Sequence, residues 1–404
     1  MSIVSVENSI PAGVVHLPPS KSAAHRALIC SFLAGGGQVE PLIDSDDMRA
    51  TQGALQALLN DETEINCIES GSTLRFLIPV AAVLGKTVTF VGRGRLPQRP
   101  LDEYSRLLPK HGVTVDTQGG LPYTISGQLK AGNYEIAGNV SSQYITGLLL
   151  ALPLADGDSA IRLTTALESK PYVDMTIQVM EAYGVYIHET DFGYLIRGNQ
   201  HYKKTDFHVE SDWSQAAFFM AVGAIGSDIT IKGVNPQSLQ GDKVVCQVMQ
   251  SFGAQVETGA DYVRCAGGHL KGTVIDARDI PDMVPAIAVT AAFAQGETII
   301  KGAARLRLKE SDRLRSIEKN LSAMGVHVEE LSDGLVIQGG SAVQGADLHG
   351  CNDHRIVMAF AVAAAFAKGN TTIDDAQSIH KSYPSFFEDF NMLGGKANVL
   401  SNRK

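Results

Sequence analysis

The sequence predicts an α/β protein built from one supersecondary unit repeated six times. Two glycine registers and a fixed order of elements around them predict it. The first register holds Gly35, Gly85, Gly157, Gly226, Gly296 and Gly369. The second holds Gly112, Gly184, Gly253, Gly325 and Gly394, with Asn60 standing where its first glycine belongs. Steps within a register are about 70 residues, apart from a first step of about 50, and the offset between registers stays near ~27. A constant period of this size marks a repeated structural unit.

Each unit reads in the same order. A polar cluster opens an apolar helix that ends at the first glycine. A β-branched strand follows, as in Thr87-Val88-Thr89-Phe90-Val91, Ile229-Thr230-Ile231, Thr298-Ile299-Ile300 and Thr371-Thr372-Ile373. An amphipathic helix then runs to the second glycine, and a hairpin closes the unit, as in Val113-Thr114-Val115 with Tyr123-Thr124-Ile125, or Val326-His327-Val328 with Leu335-Val336-Ile337.

The first helix of each unit is apolar nearly all round: residues 145–154, 216–224, 286–294 and 356–367 leave no polar face, so these helices must be buried. Their N-terminal ends carry the polar residues instead: Lys21-Ser22, Gly71-Ser72-Thr73, Ser141-Ser142-Gln143, Asp212, Asp282 and Asn352-Asp353-His354-Arg355. Ser141, Asp212 and Asn352 are suitable N-caps. Capping does not account for Lys21, Arg75 or Arg355, because a cation at a helix N-terminus opposes the dipole, and its presence there points to a bound anion.

Composition narrows the function. A net charge of −9 and a single tryptophan, Trp213, argue against nucleic acid or an anionic membrane as partner. The cations that are present gather at element starts: Lys21, Arg26, Arg75, Arg95, Arg99, Lys309, Arg313, Arg355 and Lys381. That arrangement suits a small, highly anionic substrate in a cleft. Five cysteines without zinc spacing, and an N-terminus lacking a basic segment before an apolar one, lead to the expectation of a reducing, cytoplasmic location. No carboxylate–histidine cluster calls for a metal, and no Walker sequence is found, so neither metal nor cofactor is expected.

Lys309-Glu310-Ser311-Asp312-Arg313 sets one carboxylate between cations just before an amphipathic helix, in which Leu314, Ile317, Leu321 and Met324 share a face and Gly325 marks the end. Ser311 is the expected N-cap. Lys21-Ser22 with His25-Arg26 puts i,i+4 pairs on adjacent faces of the first helix. Glu69-Ser70-Gly71-Ser72-Thr73-Leu74-Arg75 is a small-residue turn that lets a ligand approach the backbone. Gly92 to Pro100 is a cation-rich loop stiffened by proline, and Glu168-Ser169-Lys170-Pro171-Tyr172 opens another amphipathic helix.

On these motifs the chain resembles, nearly end to end, the 5-enolpyruvylshikimate-3-phosphate synthases of the enolpyruvyl transferase family. The matching segments are Pro19-Ser20-Lys21-Ser22 with Arg26, Gly71-Ser72-Thr73 with Arg75, Arg95 with Arg99-Pro100, Ser141-Ser142-Gln143, Ser169-Lys170-Pro171-Tyr172, Asp282, Lys309 to Arg313, Asn352 to Arg355, and Lys381 with Tyr383-Pro384. The resemblance implies a two-domain inside-out α/β barrel of six βαβαββ-type repeats, three per domain, with the active site in the interdomain cleft. It implies a discontinuous domain of residues 1–18 plus 211–404 and a continuous domain of residues 19–210, with crossings near Pro18 to Lys21 and Val209 to Asp212.

The implied reaction adds the 5-hydroxyl of shikimate 3-phosphate to phosphoenolpyruvate and then expels phosphate. The resemblance places Lys21, Ser22, Arg26, Ser141, Ser142, Gln143, Ser169, Tyr172, Asp282 and Lys309 at shikimate 3-phosphate. It places Lys21, Gly71, Arg95, Gln143, Glu310, Arg313, Arg355 and Lys381 at phosphoenolpyruvate. Asp282 and Lys21 are candidates for the hydroxyl proton and Glu310 for the methylene proton. Because Lys309 and Arg313 flank Glu310, both substrates are expected to raise its working pKa by neutralising those cations. Partners are expected to be small anions only, with the chain a monomer.

Two positions depart from the family pattern: Glu69 where Asn is common, and Arg305 where Asn or His is common. Transfer to UDP-N-acetylglucosamine is the alternative, against which stand Ser22 after Lys21 and the absence of cysteine between Cys67 and Cys246. A non-catalytic anion-binding module has no use for Asp282 and Glu310. An RNA-end-processing enzyme fits poorly with the acidic charge and few aromatics.

Overall fold

A computed structural model of the chain describes residues 2–401. The chain forms two compact units: a discontinuous one, residues 1–20 with 210–404, and a continuous one, residues 21–209. Each has its own hydrophobic core. One core gathers Val4, Val15 and the residues from Trp213 to Ala397; the other gathers those from Ala23 to Val209.

The six apolar helices are Lys21–Leu33, Gly71–Val83, Ser142–Ala151, Trp213–Gly226, Val284–Phe293 and His354–Phe366. Their interior residues are almost completely inaccessible, from Phe76 and Leu77 through Phe218 and Phe219 to Val357 and Phe360. Burying each large side chain contributes about 1.5–3 kcal/mol, so these helices hold the cores together. Close approach is set locally by Gly147: a Cβ there would run into the Arg75 carbonyl and the Tyr104 hydroxyl. The Ser142 helix can therefore lie directly on the Gly71 helix.

A regular repeat makes one four-stranded sheet. In the fifth, Gly296–Lys301 pairs in parallel with Val274–Asp276 on one side and antiparallel with the second strand of the hairpin His327–Leu331/Gly334–Gly339 on the other. Strands such as Asn133–Ile136 and Val274–Asp276 alternate buried and exposed residues, so one face of the sheet covers its helices. Each sheet has an open strand order, and among the described residues no strand barrel closes. The helices, not a cylinder of strands, form the interior.

Two repeats are irregular. The last takes its second hairpin strand from the N-terminus: Ser2–Val6 pairs antiparallel with both Thr371–Ile373 and Ala397–Ser401. The first has no hairpin. Helix Asp46–Leu59 ends at Asn60 and the chain passes directly to Glu64–Asn66. This missing hairpin accounts for the short first step in the glycine register and for the lost glycine at position 60. What remains of that sheet is Val39–Glu40 paired with Phe207–His208. In exchange, Gly13–His16, which precedes the first helix in sequence, pairs with Asp228–Lys232. The chain passes between units at Ser20/Lys21 and at Val209/Glu210.

Candidate active site

The polar helix starts of each unit converge on a cluster of their own. In the continuous unit, Lys21 is the first residue of its helix, and its Nζ lies 2.7 Å from Asp47 Oδ2 on the neighbouring helix Asp46–Leu59. This ion pair offsets the dipole that a cation at that position opposes. Arg26, one turn on, is buried. Its Nε donates to Thr176 Oγ1 at 2.7 Å, Nη1 to the Ser22 carbonyl at 2.7 Å and Nη2 to the Tyr172 carbonyl at 2.9 Å, while the guanidinium lies over the Phe76 ring. Burial pulls its pKa down to about 10. Arg26 thus brings together Ser22, Tyr172 and the helix Lys170–Ala182, whose entry residue Ser169 has a φ of 55°.

Ser141 caps the helix Ser142–Ala151 through Gln143 N. Gln143 accepts from Arg75 Nη1 with Oε1 and donates to Ser72 Oγ with Nε2, both at 3.0 Å. Arg75 is buried, and its other terminal nitrogen donates to the Pro100 carbonyl at 2.8 Å. The guanidinium against Gly71 belongs to Arg99: a Cβ on Gly71 would come within 2.7 Å of Arg99 Cζ and 3.0 Å of Arg75 Nη1. Arg95, the sequence candidate from this loop, is half-buried at the start of the turn Leu96–Gln98. The sequence shows three arginines between Gly92 and Pro100 but not which one turns inward. Glu69, the first departure from the family pattern, has its carboxylate 3.9 Å from Arg93 Nε.

In the discontinuous unit, Arg313 is the centre. It is 1 % exposed and touches three carboxylates: Nε to Asp353 Oδ2 at 2.8 Å, Nη1 to Asp282 Oδ1 at 3.0 Å and Nη2 to Glu310 Oε2 at 2.8 Å. Burial works against its charge, but Asp353, Glu310 and Asp282 more than offset that and raise its pKa. Lys309 Nζ lies 3.3 Å from Asp282 Oδ1, and burial lowers its pKa against the pull of Asp282. Arg355 donates to the Asp282 carbonyl and to Ser214 Oγ, both at 2.9 Å, with Asp282 Oδ2 3.3 Å away. Asp212 caps its helix through Ser214 N. Lys381 donates to the Asn352 carbonyl at 2.6 Å. Arg305, the second departure, donates to the Arg278 carbonyl at 2.6 Å.

Two expected caps shift by one residue. Asp312, not Ser311, caps the helix Arg313–Ala323, and Asp353, not Asn352, caps His354–Phe366. Ser311 is turned away, donating to Asp353 Oδ2 at 3.0 Å, and Asn352 has a φ of 50°, outside the extended conformation an N-cap needs. Sequence reasoning gave Asp353 and Ser214 no separate role. The acidic residue between Asn352 and two basic residues was the signal for the first, and Ser214 carried none.

Chemically, the discontinuous unit assembles two solvent-reachable carboxylates, Asp282 and Glu310, on cations that an anionic ligand could share. The continuous unit assembles buried arginines with hydroxyl and amide groups at helix starts, a setting for phosphate.

A family model for EPSP synthase (3-phosphoshikimate 1-carboxyvinyltransferase) matches residues 58–390. The chain is 41% identical to the 3-phosphoshikimate 1-carboxyvinyltransferase of Clostridium kluyveri, over 99% of each chain, and 40% identical to that of Clostridium novyi, over 95% of each. Among solved structures it resembles the EPSP synthase of Acinetobacter baumannii, with a TM-score of 0.81 at 25% identity over 99% of this chain and 100% of that one. The enolpyruvyl transferase NikO of Streptomyces tendae shares the fold, with a TM-score of 0.80 at 16% identity over 98% of each.

Proposed function

The chain belongs to the EPSP synthase family, and from that premise we propose that it transfers the enolpyruvyl group of phosphoenolpyruvate to the 5-hydroxyl of shikimate 3-phosphate. The hydroxyl oxygen adds to C2 of phosphoenolpyruvate as its proton passes to Asp282 or Lys21, while C3 takes a proton from Glu310. The adduct is tetrahedral. C3 then returns a proton, the C2–O bond to phosphate breaks, and phosphate leaves with the bonding pair. The product is the enolpyruvyl ether.

The observation that carries this reading is the attachment of Asp282 and Glu310 to one buried guanidinium. A binding module gains nothing from two carboxylates among its anion-binding cations, whereas addition and elimination need two groups that exchange protons. Lys21, Ser22, Arg26, Ser141, Ser142, Gln143, Ser169, Tyr172, Asp282 and Lys309 serve shikimate 3-phosphate. Lys21, Gly71, Arg95, Gln143, Arg313, Arg355 and Lys381 serve phosphoenolpyruvate, and Arg99 joins them because its guanidinium lies against Gly71. Substrate carboxylate and phosphate neutralise the cations around Glu310, which lets it hold the proton it must donate. One chain supplies all of these residues, so a monomer suffices for this chemistry. It works in the cytoplasm, where its free cysteines stay reduced.

The test is phosphate release from phosphoenolpyruvate with shikimate 3-phosphate, run beside UDP-N-acetylglucosamine. Release with the first acceptor alone is expected. Release only with the second would reassign the substrate, and release with neither would remove the transfer reaction. Glu310→Gln should abolish exchange of the methylene hydrogens, and exchange near the wild-type rate would show that another group moves that proton.

A further inference from the structure

Arg313 is gripped on two edges of its guanidinium by different kinds of partner. On the Nε side, Asp353 accepts from Nε at 2.8 Å and from Nη2 at 3.2 Å. Asp353 is fully buried and also accepts from Ser311 Oγ and from Arg355 N, both at 3.0 Å. Four donors fill the lone-pair positions of a carboxylate, so Asp353 can neither move to another partner nor meet a ligand. The opposite fork, Nη1 with Nη2, is divided between Asp282 at 3.0 Å and Glu310 at 2.8 Å. Their side chains are 18 % and 21 % exposed. This fork is the edge that a planar ligand carboxylate takes with two parallel hydrogen bonds.

We infer that Asp353 is the positioning residue for Arg313, and that Asp282 and Glu310 are exchangeable occupants of the fork that the substrate carboxylate displaces together. The inference rests on the function proposed above. Its consequence is that binding and activation are one event. The carboxylate that seats itself on Arg313 also releases from that arginine the two groups assigned to proton transfer, leaving Asp282 with Lys309 and Arg355. Asp353 must be separate from them and inaccessible, because an arginine whose every partner could leave would follow its partners instead of holding the ligand. The backbone bond from Arg355 N to the same carboxylate sets the second arginine in register with the first.

Two variants test this, with turnover and binding measured separately. In Asp353→Asn, the amide cannot accept from both guanidinium nitrogens, and Arg313 is left to Asp282 and Glu310. KM for phosphoenolpyruvate should rise about tenfold or more, with KM for shikimate 3-phosphate within about twofold and kcat changed less than KM. In Glu310→Gln, the dissociation constant of phosphoenolpyruvate, measured by equilibrium dialysis with a saturating 5-deoxy analogue of shikimate 3-phosphate that lacks the attacking hydroxyl, should fall several-fold because a neutral amide oxygen replaces the charged competitor for the fork. Equal or weaker binding by Glu310→Gln overturns the exchange, and it decides the matter even if Asp353→Asn does not fold. A folded Asp353→Asn with unchanged KM for phosphoenolpyruvate overturns the positioning role. Absence of phosphate release by the wild type overturns the proposed function and this inference with it, whereas release by the wild type with either of the other negative results overturns the inference alone.

Discussion

Asp47 Oδ2 accepts from Lys21 Nζ at 2.7 Å, and both side chains are 13 % exposed. The lysine starts a helix and stands beside Arg26 and His25, so the Asp47 carboxylate supports its charge there. For a pair this far from bulk water, Asp47→Asn should cost about 1–2 kcal/mol. That corresponds to a fall in Tm of about 3–6 °C. Shikimate 3-phosphate, taking the place of the missing anion, should recover most of the loss. A Tm equal to the wild type's would show that the pair contributes nothing.

Gly71→Ala tests the arginine cradle. The φ of Gly71 is negative, so alanine fits the backbone, and the conflict is with the Arg99 and Arg75 guanidinia. Overpacking of this kind costs about 1–3 kcal/mol. Placed at the ligand, it should raise KM for phosphoenolpyruvate about tenfold, with KM for shikimate 3-phosphate changed less than threefold. Equal effects on both substrates would mean that Arg99 and Arg75 do not discriminate between them.

Among the described residues, Arg26 donates to neutral oxygens, those of Thr176, Ser22 and Tyr172. A buried cation in that condition gains from an anionic ligand. A hydrogen bond between charged groups contributes about 1.5–3 kcal/mol, so Arg26→Ala should raise KM for shikimate 3-phosphate by about 10- to 100-fold. Arg26→Lys should not restore it, because an ammonium cannot span the same three acceptors. Thermal stabilisation by shikimate 3-phosphate should shrink in both variants; full stabilisation of Arg26→Ala would place the phosphate elsewhere.

His25 contributes to the pH dependence of stability. Burial, then Lys21 and Arg26, holds its pKa well below the ordinary value, so the folded protein keeps the ring neutral. Thr73 donates to Ser70 Oγ at 2.8 Å, so Thr51 donates to Thr73 and His25 donates from Nδ1 to Thr51, each at 2.7 Å. The unfolded chain takes up a proton near pH ~6.5. A depressed folded pKa means that the stability is present above that pH and is lost as pH falls below it, at about 1.4 kcal/mol per pH unit. Urea unfolding between pH 7.5 and 5 should therefore show a shallower decline for His25→Asn than for the wild type. Coincident slopes would mean that His25 titrates normally.

The glycine registers made the repeat legible because each glycine lies at or a few residues past a helix end: Gly112 and Gly253 are C-caps, whereas Gly157, Gly296 and Gly369 follow helices that have already stopped. Even the irregular first copy announced itself through Asn60. The strands that complete the irregular sheets did not. Phe207–His208 pairs with Val39–Glu40, and Ser2–Val6 with Thr371–Ile373. No periodicity reports contacts made across most of the chain. The same division holds at the site. Cations at helix starts were visible as residue types, but the choice of Arg99 over Arg95 beside Gly71 depends on how a proline-bounded loop turns. Asp312 and Asp353 replaced neighbours as caps because several adjacent residues can cap a helix, and side-chain reach decides among them.

The two crossings of the chain run side by side. Ser20 N donates to the Glu210 carbonyl at 2.8 Å, and Pro19 bridges Ser211. Residues 21–209 thus form an inserted cassette with both ends at one staple. Joining Ser20 to Glu210 through a short linker would leave the remaining segments as an unbroken chain, with the strands Ser2–Val6 and Gly13–His16 still attached to the sheets they complete. A single gene insertion, or its reversal in the laboratory, would need only that one seam.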